Sequence, residues 1–305
     1  MLTKEQIEER QNYIGASESA AVLGLSRWST PLQIWCEKTG QLPPKEVDSE
    51  AAELGNELED YVARRFMRKT GLKVHRVNET LYHKKYPFIA CHVDRRIVGA
   101  KEILQCKTAS GWKAKEWDGE EIPREYIIQE HHELAVTGAE RAHVAVLIGN
   151  QDFKIKVVER DEAVIADVVK REVHFWKTFI EPKVMPMSMT SHDKGTLDEL
   201  FPVADEKKEI ALGDDALKII EQLEGLNADG KTIESQQEKL KNDLRAMMGD
   251  AERGVVGDKI VLWTNMNVRR LNTTFLKKER PEIYTEYAET DTTRRFLIKD
   301  KKGDK

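Results

Sequence analysis

Cysteine is scarce in this chain, with three residues among 305. Cys36, Cys91 and Cys106 are widely spaced and lie within largely apolar stretches. Disulfide-stabilised secreted domains need more cysteines, at closer spacing, than this sequence contains. We therefore predict reduced thiols in the core and exclude a disulfide framework. Three thiols are also too few for a four-thiolate zinc or iron–sulfur site.

Long hydrophobic runs are absent as well. No stretch approaches the ~18 apolar residues of a membrane-spanning helix. The N-terminal sequence MLTKEQIEERQ is polar and helix-like, unlike a secretory signal. We therefore expect a soluble, cytoplasmic protein without a membrane partner. A Walker-type GxxxxGK[ST] loop is also missing, which favours a function independent of ATP.

A general excess of positive charge is missing too, because the net charge is −5. Its distribution is uneven: residues 264–305 contain 11 Lys/Arg and 7 Asp/Glu, a local charge of +4, which leaves −9 for residues 1–263. A basic C-terminal arm on an acidic body is compatible with local phosphate contact. A solvated surface segment explains the same charge equally well.

Length and composition allow one large core or two modest ones, since 40% of the residues are hydrophobic. We predict a main domain over residues 1–190. Residues 191–212 have weak patterning and are predicted to be a linker. Residues 213–305 are predicted to form a C-terminal extension with a helix, a small hairpin and the basic arm.

The predicted C-terminal helix, residues 214–248, carries apolar residues every seven positions. These are Ile219, Leu226, Ile233, Leu240 and Met247. Gly225 and Gly230 weaken the middle of the helix, so we predict a bend or two helices. The heptad row, here called the seam, serves assembly, contacts a partner, or packs against the chain's own domain.

Residues 90–110, ACHVDRRIVGAKEILQCKTAS, contain the main candidate site residues of the chain. Asp94 lies on one predicted strand, a turn follows at residues 99 and 100, and the next strand carries Gln105 and Lys107. Side chains alternate along a strand, so Gln105 and Lys107 share one face whereas Glu102 points to the other. An acid, an amide and an ammonium group are therefore predicted to converge at one end of a strand pair.

Three other positions attract attention. Ser17 has the place of a helix N-cap before residues 18–23, where exposed N–H groups attract anions, although a simple capping role is favoured on spacing alone. Glu59 lies one residue beyond the apolar stripe of a helix over residues 50–70. Gln129 lies in a helix predicted over residues 123–136.

The loop 109–122 mixes tryptophan with lysine and either stacks on nucleic acid or packs as an ordinary surface loop.

These residues occur in segments similar to a known family. Residues 14–40 (IGASESAAVLGLSRWSTPLQIWCEKTG), 55–66 (GNELEDYVARRF) and 125–138 (EYIIQEHHELAVTG) resemble the phage-type recombination exonucleases, the YqaJ-like and lambda exonuclease family of PD-(D/E)XK nucleases. The resemblance spans roughly residues 10–180. It implies an α/β (α+β) fold in which helices flank a mixed central sheet, followed here by the helical extension.

The resemblance also implies roles for individual residues. Metal ligands would be Glu59, Asp94, the residue at 105 and the backbone carbonyl of Cys106. Lys107 would be the catalytic lysine and Gln129 would orient groups near the site. Arg10 and Ser17 would receive the 5′-phosphate of DNA. The implied cofactor is Mg²⁺, with Mn²⁺ as a possible substitute. A carboxylate-held Mg²⁺ polarises a scissile phosphate and lowers the pKa of an attacking water.

Gln105 departs from the family pattern, which has Glu or Asp at this position. A neutral amide oxygen binds a hard cation more weakly than a carboxylate does. Either a carboxylate-to-amide change traps the substrate, or the natural enzyme tolerates glutamine; the residues alone do not decide. We expect Gln105→Glu to raise Mg²⁺-dependent DNA digestion by orders of magnitude.

The leading hypothesis from the resemblance is a Mg²⁺-dependent, ATP-independent 5′-to-3′ exonuclease acting on double-stranded DNA ends. Its product would be a 3′ single strand for a RecT- or beta-like annealing protein. A homo-oligomeric ring, commonly a trimer, is implied, in a bacterial cytoplasm if the gene is of phage origin. The alternatives are a DNA-end binding module with a decayed site and a structure-selective endonuclease of the same superfamily.

Overall fold

The computed structural model describes residues 9–43, 50–119, 121–187, 190–205, 208–289 and 293–299. The chain separates into two compact units, residues 1–201 and residues 202–305. Of the polar helix predicted over residues 3–12, the part before residue 9 lies outside the described residues. Its end is a 3₁₀ turn, Arg10–Asn12.

The first unit contains six helices and eight strands among its described residues. In chain order they are β1 (Ile14–Gly15), α1 (Ala16–Val22), α2 (Pro31–Thr39), α3 (Glu50–Thr70), β2 (Val74–Arg76), β3 (Leu81–Tyr82), β4 (Ile89–Cys91), β5 (Arg95–Ile97), β6 (Glu102–Ala109), α4 (Arg124–Thr137), β7 (Arg141–Ile148), β8 (Asp152–Glu159), α5 (Glu162–Phe175) and α6 (Lys194–Leu200). The helix bounds follow ordinary stop signals: α2 ends at Gly40 and α4 at Gly138, both with positive φ.

A five-stranded sheet in the order β2-β5-β6-β7-β8 forms the centre of this unit. β6 and β7 are parallel, whereas the other neighbours are antiparallel. β1, β4 and β3 form a smaller sheet in that order, in which β1 and β4 are parallel. The predicted mixed sheet with flanking helices is therefore confirmed.

Side-chain alternation on β6 places the sheet between two layers of apolar residues. Ile103 packs in a core cluster with Leu134 of α4. Leu104 packs in another cluster with Val62 and Phe66 of α3. Successive residues of β6 thus face α4 and α3 in turn, as the period of two requires. The face toward α4 also carries Gln105 and Lys107.

The apolar pattern of the sequence predicts one strand over residues 73–82 and one over residues 88–98, and each is divided in the structure. The strand predicted over residues 73–82 becomes β2 and β3, and the strand predicted over residues 88–98 becomes β4 and β5. In both cases the two halves belong to different sheets. Burial nevertheless alternates without a break from Cys91 to Ile97, so the sequence pattern alone contains no sign of the switch.

The three cysteines are free thiols, as predicted: Cys36 and Cys91 are buried, and Cys106 is half-buried. The stretch predicted as a linker, residues 191–212, contains α6, in which Thr196 is buried. Leu197 and Leu200 pack against the cluster that contains Trp35. Part of that stretch is therefore an ordered portion of the first unit. The boundaries proposed from the sequence stay predictions.

The second unit contains α7 (Asp214–Met248), the antiparallel hairpin of β9 (Arg253–Val256) and β10 (Lys259–Leu262), and two short helices, α8 (Thr273–Glu279) and α9 (Pro281–Tyr287). The sequence predicts a bend or two helices at Gly225 and Gly230. α7 is a single helix across both glycines, so the prediction of two helices is wrong, and the bend stays a prediction. The basic arm is described up to residue 289 and from 293 to 299. No helix of the described residues is long and apolar enough to cross a membrane.

Candidate active site

A cleft of about 530 Å³ in the first unit brings the predicted site residues together. Its lining includes Arg10, Ser17, Glu59, Asp94, Gln105, Lys107 and Gln129. These residues come from the N-terminal turn, α1, α3, the β4–β5 connection, β6 and α4. The cleft therefore lies where the small sheet meets the central one. Cys106 faces away from it, toward the cluster that contains Val62, and its carbonyl as a ligand stays a prediction.

Asp94 lies immediately before β5, which pairs with β6. One carboxylate oxygen, Oδ2, accepts the backbone N–H of Cys106 at 2.6 Å. Burial raises the pKa of Asp94 to about 6, although Lys107 and this hydrogen bond act in the opposite direction. An ionised carboxylate at this position therefore lowers the free energy of unfolding.

Lys107 belongs to a short chain of hydrogen bonds between β6 and α4. Its Nζ donates to Gln129 Oε1 at 3.1 Å, and Gln129 Nε2 donates to Glu133 Oε1 at 3.0 Å. The ammonium group also lies 5.4 Å from the centre of the Tyr126 ring. Gln129 thus fixes the positions of a lysine and a carboxylate at once, as expected of an orienting residue.

Two buried oxygens in the cleft have no hydrogen-bond partner among the described residues: Gln105 Oε1 and Glu133 Oε2. Gln105 is 6% exposed and Glu133 is 0% exposed. Burial raises the pKa of Glu133 to about 7, against the lowering effect of the Gln129 hydrogen bond. Unpaired buried oxygens are costly in a protein and need an explanation.

Glu59 lines the cleft but is already paired. Its Oε1 accepts from Arg95 Nη1 at 2.5 Å and from Arg76 Nη2 at 3.2 Å. Arg95 also contacts Asp60. A metal ion that binds Glu59 would have to compete with these two guanidinium groups. The sequence did not predict this pairing.

The other end of the cleft carries the residues expected at a DNA 5′-phosphate. The helix α1 begins at Ala16 with Gly15 as its N-cap, so the prediction that Ser17 is the N-cap is wrong. Glu18 takes the capping role instead, accepting the Gly15 N–H at 2.8 Å. Ser17 is exposed in the first turn, and its Oγ accepts from Arg10 Nη2 at 3.4 Å. Arg10 and Ser17 are therefore adjacent.

Glu18 gathers cations around this end of the cleft. It lies 2.7 Å from the buried Lys38 Nζ and 3.3 Å from Arg10 Nη2. On the same side, the Tyr13 hydroxyl lies 3.1 Å from His92 Nε2. Burial raises the pKa of Tyr13 to about 12 and lowers the pKa of His92. Both rings are therefore neutral near pH 7.

The loop predicted to mix aromatic and basic residues forms a 3₁₀ helix, Gly111–Trp117. Trp117 is buried, whereas Trp112 is 97% exposed. Lys113 Nζ lies 5.1 Å from the centre of the Trp28 ring. Trp117 thus packs as in an ordinary surface loop, whereas stacking of the exposed Trp112 on nucleic acid stays a prediction.

The cleft offers a hard cation oxygen donors. No group of three His, Cys, Asp or Glu residues in the described part of the chain is arranged to hold a metal. Asp94, Gln105 and Glu133 all line the cleft, and the Gln105 and Glu133 side chains each have one buried oxygen without a partner in the described structure. Oxygen donors of this kind suit Mg²⁺. The residues present therefore fit the metal that the sequence resemblance implies.

Several residues were missed from the sequence: Glu133 and Arg76 line the cleft, and Lys38 pairs with Glu18. For Glu133 a signal existed, since it lies four residues after Gln129 and so on the same helix face. Arg76 and Lys38 carry no such signal, because long-range packing alone places them near Glu59 and Glu18.

Comparison with known proteins identifies the family. The sequence profile of the YqaJ-like viral recombinase domain matches residues 7–140. The protein YqaJ of Bacillus subtilis (strain 168) is 38% identical over 303 residues, which are 98% of this chain and 95% of that protein. The chain belongs to the YqaJ-like viral recombinase family. The resemblance noted from the sequence is thus confirmed.

Solved structures support the fold of this YqaJ-like chain. An alkaline exonuclease of Laribacter hongkongensis, LHK-Exo, superposes with a TM-score of 0.52 at 20% identity, over 60% of this chain and 94% of that one. LHK-Exo in complex with dAMP gives the same TM-score at 22% identity. At such identities the likeness shows a shared fold alone.

Proposed function

We propose that this YqaJ-like protein is a Mg²⁺-dependent, ATP-independent deoxyribonuclease that degrades double-stranded DNA from 5′ ends. The observation that carries the proposal is the cleft that joins Asp94, Gln105 and Lys107 to Arg10 and Ser17. Oxygen donors for a divalent cation lie at one end, and a cation with a hydroxyl lies at the other. Membership of a viral recombinase family and the exonuclease fold support the same conclusion.

Each end of the cleft has its own task. A bound Mg²⁺ would supply Lewis acidity toward the scissile phosphate and the attacking water. Asp94 and Gln105 would hold the cation, with Glu59 and the Cys106 carbonyl as further ligands. Lys107, fixed by Gln129, orients the water and offsets developing negative charge. Arg10 and Ser17 bind the terminal 5′-phosphate, so the end of the strand sets which bond is cut.

The product would be a 3′ single strand, the substrate of a RecT- or beta-like annealing protein. A homo-oligomer, with a trimer favoured, would enclose the DNA and make digestion processive. Mn²⁺ would replace Mg²⁺, because the donors are oxygens. The place of action would be the cytoplasm of a bacterial host.

Digestion of a linear duplex with 5′-phosphate ends, in Mg²⁺ and in EDTA, tests the proposal. We expect Mg²⁺-dependent release of nucleotides from 5′-labelled strands, and no release by an Asp94→Asn variant. Release that survives in EDTA would contradict the proposal. A covalently closed circle serves as the control, since cutting of the circle would identify a structure-selective endonuclease instead.

A DNA-end binding module with a decayed site is the second candidate, and Gln105 is the observation that favours it. Gln105→Glu separates the two. We expect this variant to digest faster than the parent, because a carboxylate binds a hard cation more strongly than an amide. If neither the parent nor Gln105→Glu releases nucleotides in Mg²⁺ or Mn²⁺ while both bind DNA ends, the binding module is correct.

A further inference from the structure

The cleft contains one more carboxylate than the expected ligand set requires. Glu133 lines the cleft together with Asp94, Gln105 and Lys107. It is fully buried, and its Oε2 has no hydrogen-bond partner within the described part of the chain. A buried carboxylate oxygen without a protein partner needs an explanation, and one that lines a cleft is placed to accept a bound cation.

Glu133 is held in place and does not merely fill space. Its other oxygen, Oε1, accepts the Gln129 Nε2 hydrogen bond at 3.0 Å. Gln129 in turn accepts from Lys107 at 3.1 Å. The carboxylate is thus connected to the β6 lysine through one intervening side chain, and Oε2 is the atom left over.

Position 105 lacks the negative charge that Glu133 has. Gln105 lies on the face of β6 that looks toward α4, and its buried Oε1 is also without a partner among the described residues. The amide supplies an oxygen but no charge. The carboxylate of Glu133 on the facing helix supplies the negative charge that the Gln105 amide does not.

We infer that Glu133 of α4 supplies the divalent cation with the carboxylate that β6 lacks at position 105. The inference rests on the proposed function, because it concerns the metal of that same cleft. Asp94, the Gln105 amide oxygen and Glu133 Oε2 then form the oxygen set. An active nuclease with glutamine at position 105 thereby has a physical explanation.

The same helix provides a matched control. Glu130 is as deeply buried as Glu133, and both of its carboxylate oxygens lack partners in the described structure. It does not, however, line the cleft. Glu130→Gln makes the same substitution in the same helix about one turn away, and so measures any effect that does not act through the cleft.

Mn²⁺ binding to the full-length protein, measured by titration calorimetry and by the metal-induced rise in melting temperature, tests the inference. We expect Glu133→Gln to weaken Mn²⁺ binding by about tenfold or more, within the range known for groups that hold or orient metals. Glu130→Gln should leave the affinity unchanged. Adding Gln105→Glu to Glu133→Gln should restore binding, and by a larger factor than Gln105→Glu improves the parent.

The contrary outcomes are distinct. Unchanged affinity in Glu133→Gln, or equal weakening by Glu130→Gln, overturns the inference while leaving the proposed function intact. Undiminished Mn²⁺ binding by Asp94→Asn would instead show that the metal does not bind in this cleft, and would contradict the proposed function as well. If Glu133→Gln does not fold, Glu133→Asp replaces it, since a carboxylate withdrawn by one methylene should also weaken binding whereas Glu130→Asp should not.

Discussion

At the residue scale, the buried carboxylate of Asp94 lowers the stability of the folded protein when it is ionised. Its pKa is raised to about 6, chiefly by burial. The native state therefore holds its proton more tightly than the unfolded chain, whose aspartates titrate near 3.8. Stability consequently falls as pH rises through this interval, and the full cost is present above pH 6.

We predict that Asp94→Asn stabilises the metal-free protein at neutral and alkaline pH. A shift of this size corresponds to on the order of 2–3 kcal/mol in the free energy of unfolding. The gain should shrink as pH falls through about 6 and vanish near pH 4. Urea denaturation of both chains in EDTA over this pH range measures it. Lower stability of Asp94→Asn at pH 8 would contradict the prediction, and Mn²⁺ should stabilise the parent alone.

The residue scale also shows how much of the candidate site is predictable. Strand alternation alone placed Gln105 and Lys107 on one face and Glu102 on the other, where the structure has Glu102 paired with His143. The arginines around Glu59 were not predictable, because they approach from separate strands. Ser17 is not the N-cap because the helix begins one residue earlier, at Ala16, with Gly15 as the N-cap and its N–H bonded to Glu18.

At the element scale, one buried polar cluster joins four elements behind the cleft. His132 of α4 contacts Glu172 of α5 at 2.7 Å through Nδ1 and the Ala90 carbonyl of β4 at 2.9 Å through Nε2. Ser19 of α1 donates to the same Glu172 oxygen at 2.5 Å. Because both ring nitrogens face acceptors, the imidazole is doubly protonated. Burial opposes this charge, but Glu172 outweighs burial and the pKa of His132 is raised.

We predict that Glu172→Gln destabilises the first unit by about 3 kcal/mol, because it leaves a buried charge unpaired. The raised pKa fixes the pH dependence. The stabilisation is complete below pH 6.5, the ordinary histidine value, and is lost as pH rises through the higher native value. Denaturant titrations of the two chains should therefore differ most at acid pH. Ser19→Ala is the control and should cost only about 1 kcal/mol; an equal loss in both variants would count against the ion pair.

Elements were predictable where local pattern determines them. Proline and glycine set the ends of α2, and the period of two set β6. The divisions between β2 and β3 and between β4 and β5 were not predictable, because each depends on which neighbour pairs with the backbone. β4 pairs with β1, whereas β5 pairs with β6. Asp94 lies at the division between β4 and β5. The change of sheet that places this carboxylate in the cleft was therefore not predictable from the sequence.

At the scale of the whole molecule, the C-terminal unit presents an exposed apolar row. All five seam residues, Ile219, Leu226, Ile233, Leu240 and Met247, are more than half exposed. No residue of α7 is buried. The row from Ile219 to Met247 spans about 42 Å at ~1.5 Å per residue. An exposed apolar row of that length favours a partner helix, and a second copy of the same seam has the matching period.

We predict that Ile233→Lys lowers the mass of the oligomer measured by light scattering after gel filtration, because it places a charge in the middle of the seam. Ser235→Lys is the matched control. It adds the same side chain two residues away, about 200° around the helix, and should leave the mass unchanged. Equal masses for both variants and the parent would show that the seam does not mediate self-association. The row would then be available to an annealing protein, and Ile233→Lys would be expected to weaken that contact while Ser235→Lys would not.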